Sequence, residues 1–285
     1  MWRASWQLVG MDKRQRLESI LKDLGSCLVA YSGGVDSALL ALVAYRTLGD
    51  RAVAVMADSP SLPRSELKEA VALSEQFHFP LEIIRTKEFE NEDYLTNPAN
   101  RCYFCKHALF EEMESYAKER GVAAIVYGEN ADDIGDFRPG AKAAQEFQVR
   151  APLKEAGLTK SEIRAFSEEL GLPTASKPQM ACLSSRIPYG EKVTLKKLSQ
   201  VEQAEAILRQ NGFFDVRVRH HQLGSGALAR IEVGATEMER LLDPELRDAL
   251  TQTIKELGYL YVTVDLIGYR RGSLNVAVGS NGDEA

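Results

Sequence analysis

The feature that most constrains this chain is a glycine turn set between two apolar segments. Residues 27–31 form a short apolar run. Ser32-Gly33-Gly34-Val35-Asp36-Ser37 follows, then a longer apolar stretch over 38–48 that stops at Gly49. A short run bounded by a turn reads as a buried strand, and the long one as a buried helix. The alternation continues. Strands are expected at 51–57, 81–85 and 122–127, and helices at 64–77 and 103–120. A helix over 11–24, with Leu17, Ile20, Leu21 and Leu24 at helical spacing, precedes them and ends at Gly25. Strands alternating with helices of about 10–15 residues indicate an α/β unit with a parallel sheet and crossover helices.

Beyond about residue 188 the pattern changes. A helix is expected at 195–210, short strands at 216–220 and 229–233, a helical stretch at 236–257 broken by Pro244, and a strand at 261–267. This order predicts a second, smaller α+β domain. Residues 275–285 read as a frayed tail. The 285 residues are 45% apolar and 27% charged, which is ordinary for a globular chain and excludes wholesale disorder. Lys and Arg number 35 against 41 Asp and Glu, a net charge of −6, so an extended nucleic-acid surface is not expected. No run approaches the roughly 18 apolar residues of a membrane span. The polar–apolar start is not a secretory signal, and a cytoplasmic location is the default expectation.

In an open parallel sheet the turn after the first strand lies at the carboxyl edge, where ligands bind. Gly33 and Gly34 let the backbone approach a ligand closely. The helix that follows favours an anion at its N-terminus. Ser32 and Ser37 add hydroxyl donors for phosphate. No lysine follows the glycines, so this is not the loop of γ-phosphate transfer, and the spacing is not that of a dinucleotide site. The plainer reading is a strand–turn–helix junction capped by Asp36 or Ser37. The ordered set Ser-Gly-Gly-Val-Asp-Ser resembles the PP-loop of the ATP pyrophosphatases. That resemblance implies a Rossmann-like, adenine nucleotide α-hydrolase-like fold. It also implies attack on the α-phosphorus of ATP, an adenylated intermediate and release of pyrophosphate.

There are four cysteines. Cys27, inside the first apolar strand, reads as a buried small hydrophobe. Cys102 and Cys105, in Arg101-Cys102-Tyr103-Phe104-Cys105-Lys106, and Cys182 leave three readings open. They suit a zinc site with His107 as a fourth ligand, an iron–sulfur cluster with one open iron, or simple burial.

Around Cys182 the run Cys-Leu-Ser-Ser-Arg-Ile-Pro-Tyr-Gly resembles the ATP-dependent sulfur transferases that help build the nickel-pincer cofactor of lactate racemase (the LarE family). Residues 128–140, 217–221 and 229–233 carry further resemblance, which spans roughly residues 10–272. It implies a pyridinium-biscarboxylate mononucleotide substrate whose carboxylates are adenylated and converted to thiocarboxylates. One kind of family member gives up the sulfur of a single cysteine at the position of Cys182. The other holds a [4Fe-4S] cluster on that cysteine and a C-x-x-C pair. Cys102 and Cys105 place this chain with the second kind. The implied domains are 10–187 for the PP-loop unit, 188–273 for the small unit and 274–285 for the tail.

Further candidates follow from position. Val35 belongs to the turn. Asp36 stands beside the phosphates, where a bridging Mg²⁺ would offset repulsion. Asp58, ending the second strand, and Gly128, ending the fourth, join the nucleotide contacts. Glu129, Asp132 and Asp133 fall at the same edge as metal or ribose ligands, or as a solvated acidic loop. Arg138 suits a phosphate or a carboxylate, and equally a surface ion pair. Arg186 is placed to stabilise a thiolate or an acyl-phosphate. Arg217 and Arg219, two apart on a strand, share a face suited to a mononucleotide phosphate or its second carboxylate. Glu232 and Glu205 match acidic positions of the family. Arg270 and Arg271 read evenly as surface charge. Of His220 and His221, at most one faces the site, and a packed or solvated histidine is the simpler expectation.

The function expected is an ATP- and Mg²⁺-dependent, AMP-forming sulfurtransferase, homo-oligomeric, with an unknown sulfide donor. The alternatives are a tRNA thiolase with a three-cysteine cluster, an amidating ligase like GMP or NAD synthetase, and a nucleotide sensor or iron–sulfur scaffold without turnover.

Overall fold

The computed structural model describes residues 12–133, 139–179 and 181–270. They divide into two compact units. The first holds 12–59, 64–88 and 102–179, and the second holds 60–63, 89–101 and 181–270.

Unit 1 is the expected α/β layer structure. In chain order it contains α1 (Lys13–Leu24), β1 (Cys27–Ala30), α2 (Val35–Leu48), β2 (Ala52–Asp58), α3 (Arg64–Phe77), β3 (Leu81–Arg85), α4 (Arg101–Arg120), β4 (Ala124–Tyr127), α5 (Pro139–Glu146) and α6 (Lys160–Glu169). All four strands are parallel, in the order β3-β2-β1-β4. The chain therefore runs outward from β1 to β3, then crosses back to place β4 on the other side of β1. That reversal makes a crevice at the carboxyl ends of β1 and β4.

α2 begins at Val35, three residues before the apolar run suggested, because the second half of the glycine turn is already the first helical turn. Every residue from Ser37 to Ala44 is buried. α1 and α6 pack against α2, while Phe110 and Met113 of α4 and Ala143 and Ala144 of α5 close over Leu28, Val55 and Ile125. Helices α5 and α6 lie in a stretch for which the sequence reading assigns no element. α6 starts on a capping box: Thr159 accepts from the Glu162 backbone N–H, and the Glu162 carboxylate accepts from the Thr159 backbone N–H.

Unit 2 contains α7 (Leu195–Gln210), β5 (Val216–Leu223), β6 (Gly226–Val233), α8 (Pro244–Glu256) and β7 (Tyr259–Val264). β5 and β6 form an antiparallel hairpin and β7 pairs parallel to β6. The two hairpin strands are longer than expected, since Gly224 and Ser225 alone make the turn. The expected break at Pro244 is real. Asp243 caps α8 by accepting from the Leu246 N–H at 3.1 Å, with Pro244 at the first helical position. Val216, Val218, Ala229, Ile231 and Val233 face Ala204, Leu208, Phe213, Leu250 and Ile254 in one apolar core. The residues between them on β5 and β6 turn the other way.

The expected tail, 275–285, and Arg271 lie outside the described residues. No described helix is long and apolar enough to cross a membrane.

Cys27 has no solvent exposure, and burial pushes its thiol up to about 12. Its thiolate is therefore negligible at neutral pH, and it behaves as a core hydrophobe. Thiol-reactive labelling of the native protein, read by peptide mass spectrometry, is expected to modify Cys102, Cys105 and Cys182. Cys27 is expected to react only after denaturation.

Candidate active site

In unit 1 the glycine turn is shaped by its own backbone. Gly33 has φ +71°, and a Cβ there would stand 3.0 Å from the Ala70 Cβ of α3. Only glycine meets both conditions without strain. Gly34 differs. It has an ordinary extended backbone (φ −85°, ψ 166°), and an added Cβ would meet only the Ser32 Oγ at 3.5 Å. The Ser37 hydroxyl ties the turn: it accepts from the Ser32 N–H at 3.1 Å, donates to the Gly34 carbonyl at 3.2 Å and lies 3.0 Å from the Ser32 Oγ. Gly34 is the N-cap of α2 and has no side chain to offer. The first N–H groups of α2 thus have no side-chain cap, as an anion site requires.

Gly128, at the end of β4, comes so close to α2 that a Cβ would stand 2.9 Å from the Ser37 nitrogen and 3.1 Å from the Asp36 Cβ. This contact sets the segment after β4 against the first turn of α2. Asp36 accepts from Lys160 Nζ at 2.5 Å and from Asn130 Nδ2 at 3.5 Å. Asp132 accepts from the Lys160 backbone N–H at 2.7 Å. Glu129 accepts from the Tyr127 hydroxyl and from Lys154 Nζ at 3.1 Å. Asp133 is buried and accepts from the Asn130 N–H. Glu129 and Asp133 are buried and Asp132 is exposed, and each of the three accepts a hydrogen bond. Two lysines from the segment leading into α6 reach this loop, and no local motif pointed to them. Asp58 pairs with Arg64 at 2.5 Å across the start of α3. Arg138 lies outside the described residues.

Cys102 and Cys105 lie on the first turn of α4, three residues apart and so on one face. Cys102 is exposed and Cys105 half-buried. Among the described residues, no three His, Cys, Asp or Glu side chains form a metal-binding group.

In unit 2, Cys182 is half-buried and stands just before a short 3₁₀ turn, Leu183–Arg186. Its carbonyl accepts from the Ser185 hydroxyl at 2.7 Å and from Arg186 Nη1 at 3.0 Å. Arg186 has no exposure at all. Nε donates to Glu205 Oε1 at 2.8 Å and Nη2 to Oε2 at 3.2 Å, while Nη1 also donates to the Ala181 carbonyl. Its guanidinium is directed at the backbone of the Cys182 turn and at Glu205. It braces that turn through the Ala181 and Cys182 carbonyls. Glu205 also accepts from Arg209 at 2.8 Å and from the Val218 N–H at 3.1 Å. Burial pushes the Glu205 carboxyl up, and Arg186 and Arg209 more than offset it, so it stays below the usual carboxylate range.

Arg217 and Arg219 are both buried on one face of β5. Arg219 donates to Glu232 at 2.8 Å and to the Ser185 carbonyl at 3.0 Å, so the cysteine turn is bonded directly to the arginine strand. Arg217 lies over the Tyr269 ring at 4.9 Å. Burial and then the charge of Arg186 lower its pKa. Glu232 has no exposure and also holds Arg230 at 3.2 Å. Arg230 stands opposite Arg219 on the hairpin and was not singled out in the sequence.

No protein-family model matches the chain. It is similar to the pyridinium-3,5-bisthiocarboxylic acid mononucleotide synthase of Lactiplantibacillus plantarum, 35% identical over 265 residues, covering 92% of this chain and 94% of that protein. An uncharacterized protein of Synechocystis sp. is 44% identical over 263 residues, 92% of this chain and 97% of its own length. A glutamine-hydrolyzing GMP synthase of Brucella melitensis is 27% identical over 246 residues, 75% of this chain and 47% of the synthase.

Outcomes follow for three variants. Gly33→Ala is expected to lose about 1–2 kcal/mol of stability in denaturant unfolding, from the left-handed backbone. Gly34→Ala is expected to unfold like the parent yet bind ATP more weakly by calorimetry. Glu205→Gln, which removes the carboxylate that pairs with buried Arg186, is expected to cost about 3–5 kcal/mol. Because the native Glu205 pKa is depressed, the parent's advantage over Glu205→Gln is present above pH 4.3 or so and shrinks as pH falls through the native pKa. Unfolding curves at neutral and acid pH check both points.

Proposed function

The chain belongs to the family of the pyridinium-3,5-bisthiocarboxylic acid mononucleotide synthase, and we propose that it is an ATP-dependent, AMP-forming sulfur transferase acting on the carboxylates of a pyridinium-biscarboxylate mononucleotide. The observation that carries this reading is the bond from Arg219 to the Ser185 carbonyl. It fixes a cysteine turn onto a strand whose arginines suit the carboxylate and phosphate oxygens of such a substrate.

Activation falls to unit 1. The uncapped N–H groups of Val35, Asp36 and Ser37 and the Lys160 ammonium offer donors to the β- and γ-phosphates. A substrate carboxylate oxygen attacks the α-phosphorus, the bond to the bridging oxygen breaks, and pyrophosphate leaves with that electron pair. The second step is attack of sulfur on the acyl carbon. The C–O bond breaks, AMP departs, and a thiocarboxylate remains. Making AMP the leaving group and holding the reactants close both lower the barrier.

Asp36 is the carboxylate suited to an incoming Mg²⁺, since its Oδ1 has only the 3.5 Å Asn130 contact among the described residues. Glu129 and Asp132, by contrast, are taken up by Lys154 and by the start of α6. Cys102, Cys105 and Cys182 would hold a [4Fe-4S] cluster. Their chemistry fits: all are thiols outside the apolar core, and two share one helical face. Such a cluster, when bound, supplies sulfide at an iron without a protein ligand. Arg186 keeps the Cys182 turn rigid throughout.

Anaerobically purified protein is expected to carry about four iron atoms and acid-labile sulfide per chain, lost in Cys102→Ala and in Cys182→Ala. With ATP and the biscarboxylate mononucleotide it is expected to form AMP, pyrophosphate and thiocarboxylate in step. Cys182→Ala should still release pyrophosphate but form no thiocarboxylate by mass spectrometry. Pyrophosphate release that is independent of the mononucleotide and stimulated by tRNA would instead identify a tRNA thiolase.

A further inference from the structure

Residues on β5 alternate strictly between two environments. Val216, Val218 and His220 face the helices, and Arg217, Arg219 and His221 face away from them. The hairpin register pairs Arg217 with Glu232, Arg219 with Arg230 and His221 with Leu228. Cross-strand partners share a face, so Arg230 and Glu232 stand on the same side as His221. The parallel pairing of Leu228 with Tyr261 and Arg230 with Thr263 extends that face onto β7.

The charges there are three guanidinium groups, Arg217, Arg219 and Arg230, against Glu232 and Asp265, which lies 3.8 Å from Arg230. Glu191 joins from the segment before α7: its carboxylate accepts from the Gln222 N–H at 3.2 Å and pairs with Lys197. Tyr261, exposed, is the remaining titratable group on the face. Of these groups Arg230 and Arg219 act on the His221 ring against Glu191 and Glu232. The ring is half-buried, and its Nε2 is closed off from solvent with no hydrogen-bond partner among the described residues. The Nε2 of His220, one residue earlier, likewise has no partner among the described residues, but that ring stands on the other face. It is sealed on the apolar side with Nδ1 3.3 Å from the Tyr259 hydroxyl.

We infer that His221 is the proton-linked member of an anion site on this face. An oxyanion bound against Arg219 and Arg230 draws a proton from solvent onto the imidazole, and the His221 Nε2–H then donates to it. Without a ligand, burial, then Arg230 and Arg219, hold the ring below its ordinary pKa, against the opposite pull of Glu191 and Glu232. A bound anion offsets the arginines and gives the orphaned nitrogen a partner, so the pKa rises in the complex. Affinity for the anion then increases as pH falls from the bound pKa towards the free one. The inference rests on the proposed function only for the identity of the natural anion.

The test uses the full chain with inorganic sulfate, which does not titrate in this range, whereas a phosphate monoester does near pH 6. The ring signals of the four histidines are followed by NMR from pH 5 to 8, with and without sulfate. Saturating sulfate is expected to raise the His221 midpoint by about one unit, and so to tighten sulfate binding about tenfold towards acid. His220 is expected not to move. His221→Gln is expected to bind sulfate with an affinity that no longer depends on pH. An unmoved His221 midpoint, absence of sulfate binding, or full pH dependence retained in His221→Gln each overturns the inference. If His221→Gln does not fold, the titration of the parent protein decides alone. A sulfate-shifted His221 in a protein that forms no thiocarboxylate leaves the inference standing and removes the proposed function. Thiocarboxylate formation with an unmoved His221 does the reverse.

Discussion

A helix with no polar side over two turns has to be buried, and this requirement sets the geometry of unit 1. From Ala38 to Ala44, α2 has only apolar residues, all buried, so neighbours must cover it on every side. α1, α6 and the sheet do so. Its N-terminus is then fixed at the carboxyl edge of β1, in the crevice where the strand order reverses. Gly33 and Gly128 are the local consequences. One accepts the left-handed turn that feeds the helix, and the other lets the segment after β4 reach the first helical turn. With the backbone held this firmly, the first N–H groups of α2, which no side chain caps, keep one orientation, the condition under which such groups are most effective towards an anion.

Unit 2 solves a different problem, which is how to keep several arginines out of water and still charged. Each buried guanidinium has a carboxylate or carbonyls within hydrogen-bond distance. Arg186 has Glu205 and two carbonyls, and Arg219 has Glu232 and the Ser185 carbonyl. Buried pairs of this kind add little net stability compared with apolar residues, because desolvation offsets much of the attraction. Their value is geometric. The same network that satisfies the arginines fixes the turn bearing Cys182 against β5, so the thiol and the arginine face are placed by one set of bonds.

Much of this was legible from local signals. The glycine turn, the inert Cys27 and the strands at 81–85 and helices at 64–77 and 195–210 follow from apolar runs, turn residues and periodicity. These signals act within a few residues of chain. The partners of the acidic loop were not legible, since Lys160 meets Asp36 across 124 positions of sequence. Nor was the orientation of Arg186. Four residues from Cys182 in sequence, it is buried beside Glu205 and bonded to the turn's carbonyls, which its position in the chain does not specify. Arg230 and His221 join Arg217 and Arg219 through strand register, which a single-strand alternation does not specify.

The sequence by itself determined the alternation of strands and helices, the glycine turn after β1 and the presence of three thiols outside the apolar core. These depend on backbone conformational preference and hydrophobic period, which are properties of contiguous residues. Tertiary structure decided which charges neutralise which, which arginines brace the backbone, and which histidine stands among cations. Those are properties of distance through space, and no spacing along the chain encodes them.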